Sequence, residues 1–397
     1  MLSKFRKLNK KKQNLLSLYV HWPYCESKCP YCDFNSHVNE ICDPKQWIKS
    51  YTNQLLDMNE QLLSHNVSFN NLNAIFFGGG TPSLMPLEII DSILKTASNL
   101  FGFEENIEIS LEANPSSYEK EKFNDLEKLG INRISIGVQS LNDENLKFLG
   151  RRHSSLDAQL ALEHAVNTFN NVSVDLIYAF YGQKLLHWTN ELEIFLKHND
   201  LQHLSLYQLT IEKGTRFYTD YKKGLLNIID NDYAADFYEK SNEILKGHNF
   251  LKYEVSNYAK KGFDCKHNKN YWKSENWIGI GPGAYGRLWS SKENIKRIEY
   301  QNYKNPKTWL FKNINRSEFE NINFFNDTTS DVDTLTMGLR LYEGIESFKL
   351  FDQSIIKSNA FRELQNKKIL KVKNGMLKVE ENYMIKLDSI IDFLINS

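Results

Sequence analysis

Three cysteines fall within eight residues, in the run Cys25-Glu26-Ser27-Lys28-Cys29-Pro30-Tyr31-Cys32. The spacing is C-x3-C-x2-C, and the loop directly follows a short apolar run. Soft thiolates suit iron–sulfur clusters and zinc. Three thiolates on one tight loop can hold three corners of a [4Fe–4S] cube and leave the fourth iron open to an exchangeable ligand. The amino and carboxylate groups of S-adenosylmethionine (SAM) can fill that place. The cluster can then pass an electron to the sulfonium and release a deoxyadenosyl radical, chemistry that belongs to the cofactor. The competing reading is a structural zinc site. Cys29 and Cys32 form one C-x2-C pair, but zinc normally wants a second pair or a histidine to complete four ligands, and no second pair exists. Cys42, ten residues on, reads as a small core or surface residue.

Further along the chain, polar residues end apolar runs. Phe76-Phe77-Gly78-Gly79-Gly80-Thr81-Pro82 closes a run with three glycines, where backbone can approach a ligand without Cβ obstruction; a tight turn is the plainer reading. Glu112 stands in Ser110-Leu111-Glu112-Ala113-Asn114-Pro115, Gln139 in Gly137-Val138-Gln139-Ser140, and Arg151-Arg152-His153 follows soon after. Asp175 sits inside an apolar run, where an unpaired charge is costly. Each alone could be a cap or a surface group. Together they are the polar lining expected of a cavity for a zwitterionic nucleoside. In Cys265-Lys266-His267-Asn268-Lys269-Asn270-Tyr271-Trp272, a histidine beside an asparagine precedes two aromatics. It reads either as a ligand with stacking groups or as a satisfied structural histidine.

Positioning these groups falls to alternating short apolar runs and longer amphipathic stretches. Strands are expected at 15–21, 73–77, 107–112, 133–138, 172–178 and 203–209, and helices at 44–63, 86–101, 119–129, 156–169 and 186–197. Continuous apolar strands imply burial on both faces. Strand–helix alternation implies a parallel sheet with right-handed crossovers. Six units fall two short of a full barrel. The expectation is an α/β fold: a partly open (β/α)6 barrel with the polar motifs at the C-terminal ends of its strands. A helix follows at 230–247, and strands at 253–258 and 277–281 flank the His267 segment. From about Pro306 the composition shifts toward a smaller, mixed α/β but mainly helical C-terminal domain, ending in a helix at 384–395. The expected division is a basic flexible tail at 1–14, the barrel and its extension at 15–290, and the C-terminal domain at 291–397.

The 397 residues carry 49 basic and 49 acidic side chains, a balance that argues against broad nucleic-acid binding. Five cysteines, an odd number, make a poor disulfide framework. With no signal peptide and no membrane-spanning stretch, a cytoplasmic place is expected. Basic residues Lys4 to Lys12 form a solvated tail, or a contact with an anionic membrane surface.

These motifs resemble the radical SAM proteins of the coproporphyrinogen-oxidase-like group, from about Leu18 to the C-terminus. The matching runs are Tyr19 through Cys25, Cys32-Asp33-Phe34-Asn35-Ser36, Gly78 through Pro82, Glu112 through Pro115, Gly137 through Ser140, and Leu149-Gly150-Arg151. Tyr253 through Tyr258, His267-Asn268-x-x-Tyr271-Trp272, Gly279 through Ala284, and Met337-Gly338-Leu339-Arg340 match too. The resemblance implies that Cys25, Cys29 and Cys32 hold a [4Fe–4S] cluster. It implies that Tyr19, Tyr31, Gly79, Gly80, Thr81, Glu112, Gln139, Arg151 and Asp175 lie at the cluster and SAM. It implies a haem site at His267. The group holds oxygen-independent coproporphyrinogen III oxidases and haem chaperones. The oxidases carry a further cysteine two residues after the third, where this chain has Phe34, and a long extension before the first strand, where this chain has a short tail. Both differences favour a chaperone that passes haem to acceptor proteins, some of them membrane-associated, and that has room to act as a homodimer. An oxidase, or another radical SAM enzyme, is the alternative. One departure from the family is Tyr178-Ala179-Phe180-Tyr181-Gly182-Gln183, where Tyr-Gly-Leu-Pro-Gly-Gln is usual; it puts the turn after Asp175 in doubt.

Overall fold

The computed structural model describes residues 15–38, 42–115, 122–291, 296–315, 318–350 and 354–396. The tail expected at 1–14 lies outside the described residues. The main body is a twelve-stranded sheet. Its strands are β1 (Leu16–Trp22), β2 (Leu72–Gly79), β3 (Phe103–Ala113), β4 (Arg133–Gln139), β5 (Asn171–Tyr178), β6 (His203–Gln208), β7 (Leu251–Lys252), β8 (Asn257–Ala259), β9 (Asn276–Ile280), β10 (Tyr285–Trp289), β11 (Arg297–Gln301) and β12 (Asn321–Phe325). Their spatial order is β12-β11-β10-β9-β1-β2-β3-β4-β5-β6-β8-β7. From β9 through β6 all neighbours run parallel. The outer strands on both sides are antiparallel. No pairing joins β12 to β7 among the described residues, so the barrel is partly open.

The parallel strands are apolar because helices cover their outer faces. Helix α1 (Pro44–Ser64) starts at Asp43, whose carboxylate accepts from the Lys45 N–H at 3.1 Å, with proline at the first turn. Further crossovers are α2 (Leu87–Phe101), α3 (Phe123–Lys128), α4 (Asp143–Phe148), α5 (Ser155–Thr168) and α6 (Leu185–His198), and α7 (Arg216–Lys222) and α8 (Asn231–Gly247) follow β6. A capping box between Ser154 and Asp157 opens α5. Leu18, Val20, Ile75, Phe77, Leu111, Ile134 and Val174 form one buried core with the inner faces of these helices.

The structure departs from the expected elements here. Strand 253–258 shrinks to β8 at Asn257–Ala259, with β7 before it. The His267 segment is a helix, α9 (Lys266–Trp272), between β8 and β9. The large sheet also runs past residue 290, through β11 and β12. A second buried cluster, from Leu335 to Leu394, surrounds a three-stranded sheet of β13 (Ile345–Glu346), β14 (Leu370–Lys373) and β15 (Met376–Val379). Around it lie α10 (Asp327–Gly338), α11 (Asn359–Asn366) and the terminal α12 (Leu387–Ile395).

Candidate cofactor site

The cysteine loop leaves the C-terminal end of β1 and is held from three sides. The N–H groups of Gly80 and Thr81 donate to the carbonyls of Trp22 (2.7 Å) and Tyr24 (2.9 Å), so the Gly-Gly-Gly-Thr-Pro turn backs the loop. A short parallel pair, Tyr24–Cys25 with His37–Val38, closes its base. The Phe217 N–H donates to the Pro30 carbonyl at 2.9 Å. Two glycines make this approach possible. A Cβ on Gly80 would stand 2.6 Å from the Tyr24 oxygen, and one on Gly150, at φ +68°, 2.5 Å from Pro30 Cδ. Much of the conformational freedom that the sequence assigns to ligand approach is thus used by the loop itself.

Each thiol has a polar side chain beside it. Thr81 Oγ1 donates to Cys25 Sγ (3.4 Å), Arg151 Nη1 to Cys29 Sγ (3.6 Å), and Ser36 Oγ lies 3.8 Å from Cys32 Sγ. Burial pushes the Cys25 thiol up to about 11; coordination to a cation reverses that direction. Among the described residues no three His, Cys, Asp or Glu side chains are gathered as they would be round one metal ion. A cube that takes one thiolate per iron does not require that convergence. The loop lines a cavity of about 360 Å³ that Tyr31, Gly80, Thr81, Glu112, Gln139, Arg151 and Asp175 also line. Soft donors on one wall and acids, amide and guanidinium on the others fit a cluster with a zwitterionic ligand.

The strand ends supply those groups. Arg151 is half-buried and pinned, its Nη2 donating to Asn114 Oδ1 (2.6 Å) and the Gly137 carbonyl (2.8 Å). Asn114 in turn donates to Thr81 Oγ1 at 2.9 Å, linking Arg151 to the hydroxyl at Cys25. Gln139 ends β4 at φ +69°, a strained backbone for a non-glycine residue, and its Oε1 is buried without a hydrogen-bond partner. Glu112 accepts from the Gly79 N–H at 3.2 Å. Burial, with Asp175 adding to it, pushes the Glu112 carboxyl up to about 8. Burial raises Asp175 as well, offset in part by hydrogen bonds, one of them from the Ser135 hydroxyl at 3.2 Å.

A second cavity, of about 790 Å³, adjoins the first; Glu112, Asp175, Ser135 and Phe34 line both. Here lie Tyr19 and His267. Their ring centroids are 6.0 Å apart, and Phe76 packs 5.0 Å from His267. Tyr19, expected beside the cluster, faces this second cavity, with its hydroxyl 3.1 Å from His21 Nδ1. His267 does not share the end of the barrel that holds the cysteines. Helix α9 packs against the first halves of β2 and β3: Asn270 Nδ2 donates to Asn73 Oδ1 (2.8 Å), Lys266 Nζ to the Asn106 carbonyl, and the Lys266 N–H to Glu108 Oε1 (2.9 Å). His267 therefore enters from the opposite end of the strands. Burial, and then Arg133, hold its imidazole down to about 4, and its Nε2 is buried without a partner. Tyr271, Trp272 and Trp277 line the same cavity, and the Arg340 guanidinium lies 4.7 Å from the Trp272 ring.

The sequence does not single out Glu108, Arg133 or His21. Glu108, Ser110 and Glu112 alternate along β3 and so share its inner face, a period-two signal hidden by the apolar residues between them. The family's usual glycine after Tyr178 also has a reason here. Ala179 sits at φ +59° with its N–H donating to Gln183 Oε1 at 2.6 Å, so the turn keeps its shape at a residue that resists it.

Residues 19–191 match the Radical SAM superfamily. The chain is 40% identical over 296 residues to the heme chaperone HemW of Haemophilus influenzae, covering 74% of this chain and 76% of that one. It is 38% identical over 277 residues to HemW of Escherichia coli, covering 69% and 70%. It is 36% identical to the mitochondrial radical S-adenosyl methionine domain-containing protein 1 of Dictyostelium discoideum, covering 98% and 96%. The solved structure of the Escherichia coli coproporphyrinogen III oxidase HemN, a radical SAM enzyme, superposes with a TM-score of 0.77 over 99% of this chain and 93% of that one at 16% identity, which shows a shared fold. Such membership implies a [4Fe–4S] cluster and SAM as cofactors. The chain belongs to the radical SAM superfamily, in the family that includes the HemW proteins.

Proposed function

We propose that this protein is a haem chaperone: it binds haem in the 790 Å³ cavity and hands it to acceptor proteins, while a [4Fe–4S] cluster on Cys25, Cys29 and Cys32 carries SAM in the adjoining cavity. The observation that carries this reading is the His267 imidazole, neutral, buried and with Nε2 unpartnered, in a cavity walled by aromatic rings. Neutral imidazole is a common haem-iron ligand. A flat macrocycle gains most from aromatic walls. The cavity falls in the roughly 300–1,000 Å³ range of small-molecule and cofactor sites. The relatives' name, heme chaperone, points the same way.

In the smaller cavity Glu112 and Asp175 suit the amino group of SAM and Arg151 its carboxylate. The orphaned Gln139 amide and the backbone of Gly80 and Thr81 complete its polar surroundings, with Tyr31 beside them, while Gly79 and Tyr19 line the adjoining larger cavity. When bound, the cluster supplies one-electron chemistry. Phe34, 57% exposed, lines both cavities where the oxidases have a cysteine. The deciding experiment is anaerobic purification followed by haem titration and an assay for 5′-deoxyadenosine. Saturable haem binding by the cluster-loaded chain supports the reading; its absence refutes it.

A further inference from the structure

Arg133 opens β4 and is 2% exposed. It lines the 790 Å³ cavity. Among the described residues its guanidinium makes no hydrogen bond or ion pair, and Nε and Nη1 are buried without partners. Half-buried Arg151 and buried Arg297 differ. Arg151 is bonded to Asn114 and Gly137, and Arg297 is paired with Asp333 at 2.5 Å. Nearby acids favour its charge through space, but a buried guanidinium with no directly bonded partner leaves its N–H donors unsatisfied at a cost, and its place in a ligand-sized cavity suits an anionic partner.

The neighbouring acids do not fill that role. Glu108 on β3 and Asp175 on β5 act on Arg133 through space, but neither is within ion-pairing distance. Glu108 Oε1 already accepts from Lys266 N–H and the Cys265 thiol, and Asp175 from Ser135. Glu112 also acts on Arg133 through space, but its carboxylate accepts from the Gly79 N–H and makes no ion pair with Arg133; His203, Tyr253, Cys265 and His267, the other groups nearby, bring no strong acceptor.

We propose that Arg133 is a carboxylate subsite at the His267 end of the cavity, taking one acid side arm of the porphyrin whose iron His267 binds. This rests on the haem reading above. Arg133 and His267 are close enough to interact through space, and each presents an unsatisfied buried nitrogen. Together they recognise iron and carboxylate on one ligand. A guanidinium suits this work because its planar fork matches a carboxylate's two oxygens.

The test titrates the cluster-loaded protein with haemin and with haemin dimethyl ester, whose side arms carry no charge. The wild type should prefer haemin by about ten- to hundredfold. Arg133→Met should bind the two alike, Arg133→Lys should keep part of the preference, and SAM affinity measured by calorimetry should be unchanged in both. Equal affinity in the wild type, or a preference that survives Arg133→Met, overturns the subsite. So does a loss of SAM affinity with haemin binding intact, which would give Arg133 to the SAM carboxylate. Where Arg133→Met fails to fold, the ester comparison in the wild type and Arg133→Lys decides. Binding of both porphyrins alike, still abolished by His267→Ala, removes the Arg133 inference alone. Binding of neither removes the haem reading with it.

Discussion

Glu108 and His267 are fixed to one another across the barrel's interior: Glu108 Oε1 accepts from the backbone N–H of Lys266 at 2.9 Å and of His267 at 3.4 Å. The strand that carries Glu112 near its end, beside the cysteine loop, thereby also caps the helix that carries His267. Removing this acceptor leaves first-turn N–H groups orphaned. Glu108→Ala should cost at least about 1 kcal/mol in denaturant unfolding and should weaken haem binding. Glu108→Gln, which keeps an acceptor, should do less of both. Haem affinity unchanged in a destabilised Glu108→Ala protein would separate the cap from the site.

The cluster assignment makes a selective prediction. Replacing Cys25, Cys29 or Cys32 by alanine should abolish iron and acid-labile sulfide after anaerobic reconstitution. Cys42→Ala and Cys265→Ala should not, because Cys42 packs against the core and Cys265 is buried beside Glu108. Full cluster content in Cys29→Ala would remove the assignment.

Glu112 should make SAM binding depend on pH. Its carboxyl is raised from 4.5 to about 8, so the fold favours the protonated form and loses stability as pH rises through that window. A ligand ammonium favours the ionised form instead. SAM affinity should therefore climb as pH rises toward about 8, and should be flatter and about ten- to hundredfold weaker in Glu112→Ala. Calorimetry at several pH values checks this; parallel profiles in the two proteins would place the ligand elsewhere.

The turn after β5 should respond to one methyl group. Ala179 at φ +59° carries left-handed strain of about 1 kcal/mol. Ala179→Gly, which restores the usual family residue, should leave haem and SAM affinities unchanged and raise the unfolding temperature slightly. A fall in that temperature would mean that the methyl group's packing outweighs the strain.

The barrel was legible because its parallel strands are buried on both faces and so read as unbroken apolar runs. The cysteine loop was legible because its spacing has few alternatives. The interior was not. Arg133 opens β4, where a charged residue looks like the end of a solvent-exposed turn, and Glu108 stands midway along β3 on a face that the apolar residues between its acids hide. Helix α9 has only seven residues and no polar side-chain cap of its own. Its cap comes from Glu108, far away in sequence, so the Tyr-Trp run resembled a strand connection. The C-terminal division was blurred because β11 and β12, beyond residue 290, extend the main sheet.

Absorption-monitored haem titration of His267→Ala, with its cluster intact, tests the central claim most directly. The His267 ring is held down to about 4 from 6.5, so the wild type should bind haem with no step near pH 6.5, even as the unfolded chain's more basic imidazole draws stability away below that pH. His267→Ala should keep its fold and its iron and sulfide, yet lose haem or shift its absorption bands. Wild-type affinity and spectrum in that variant would contradict the account.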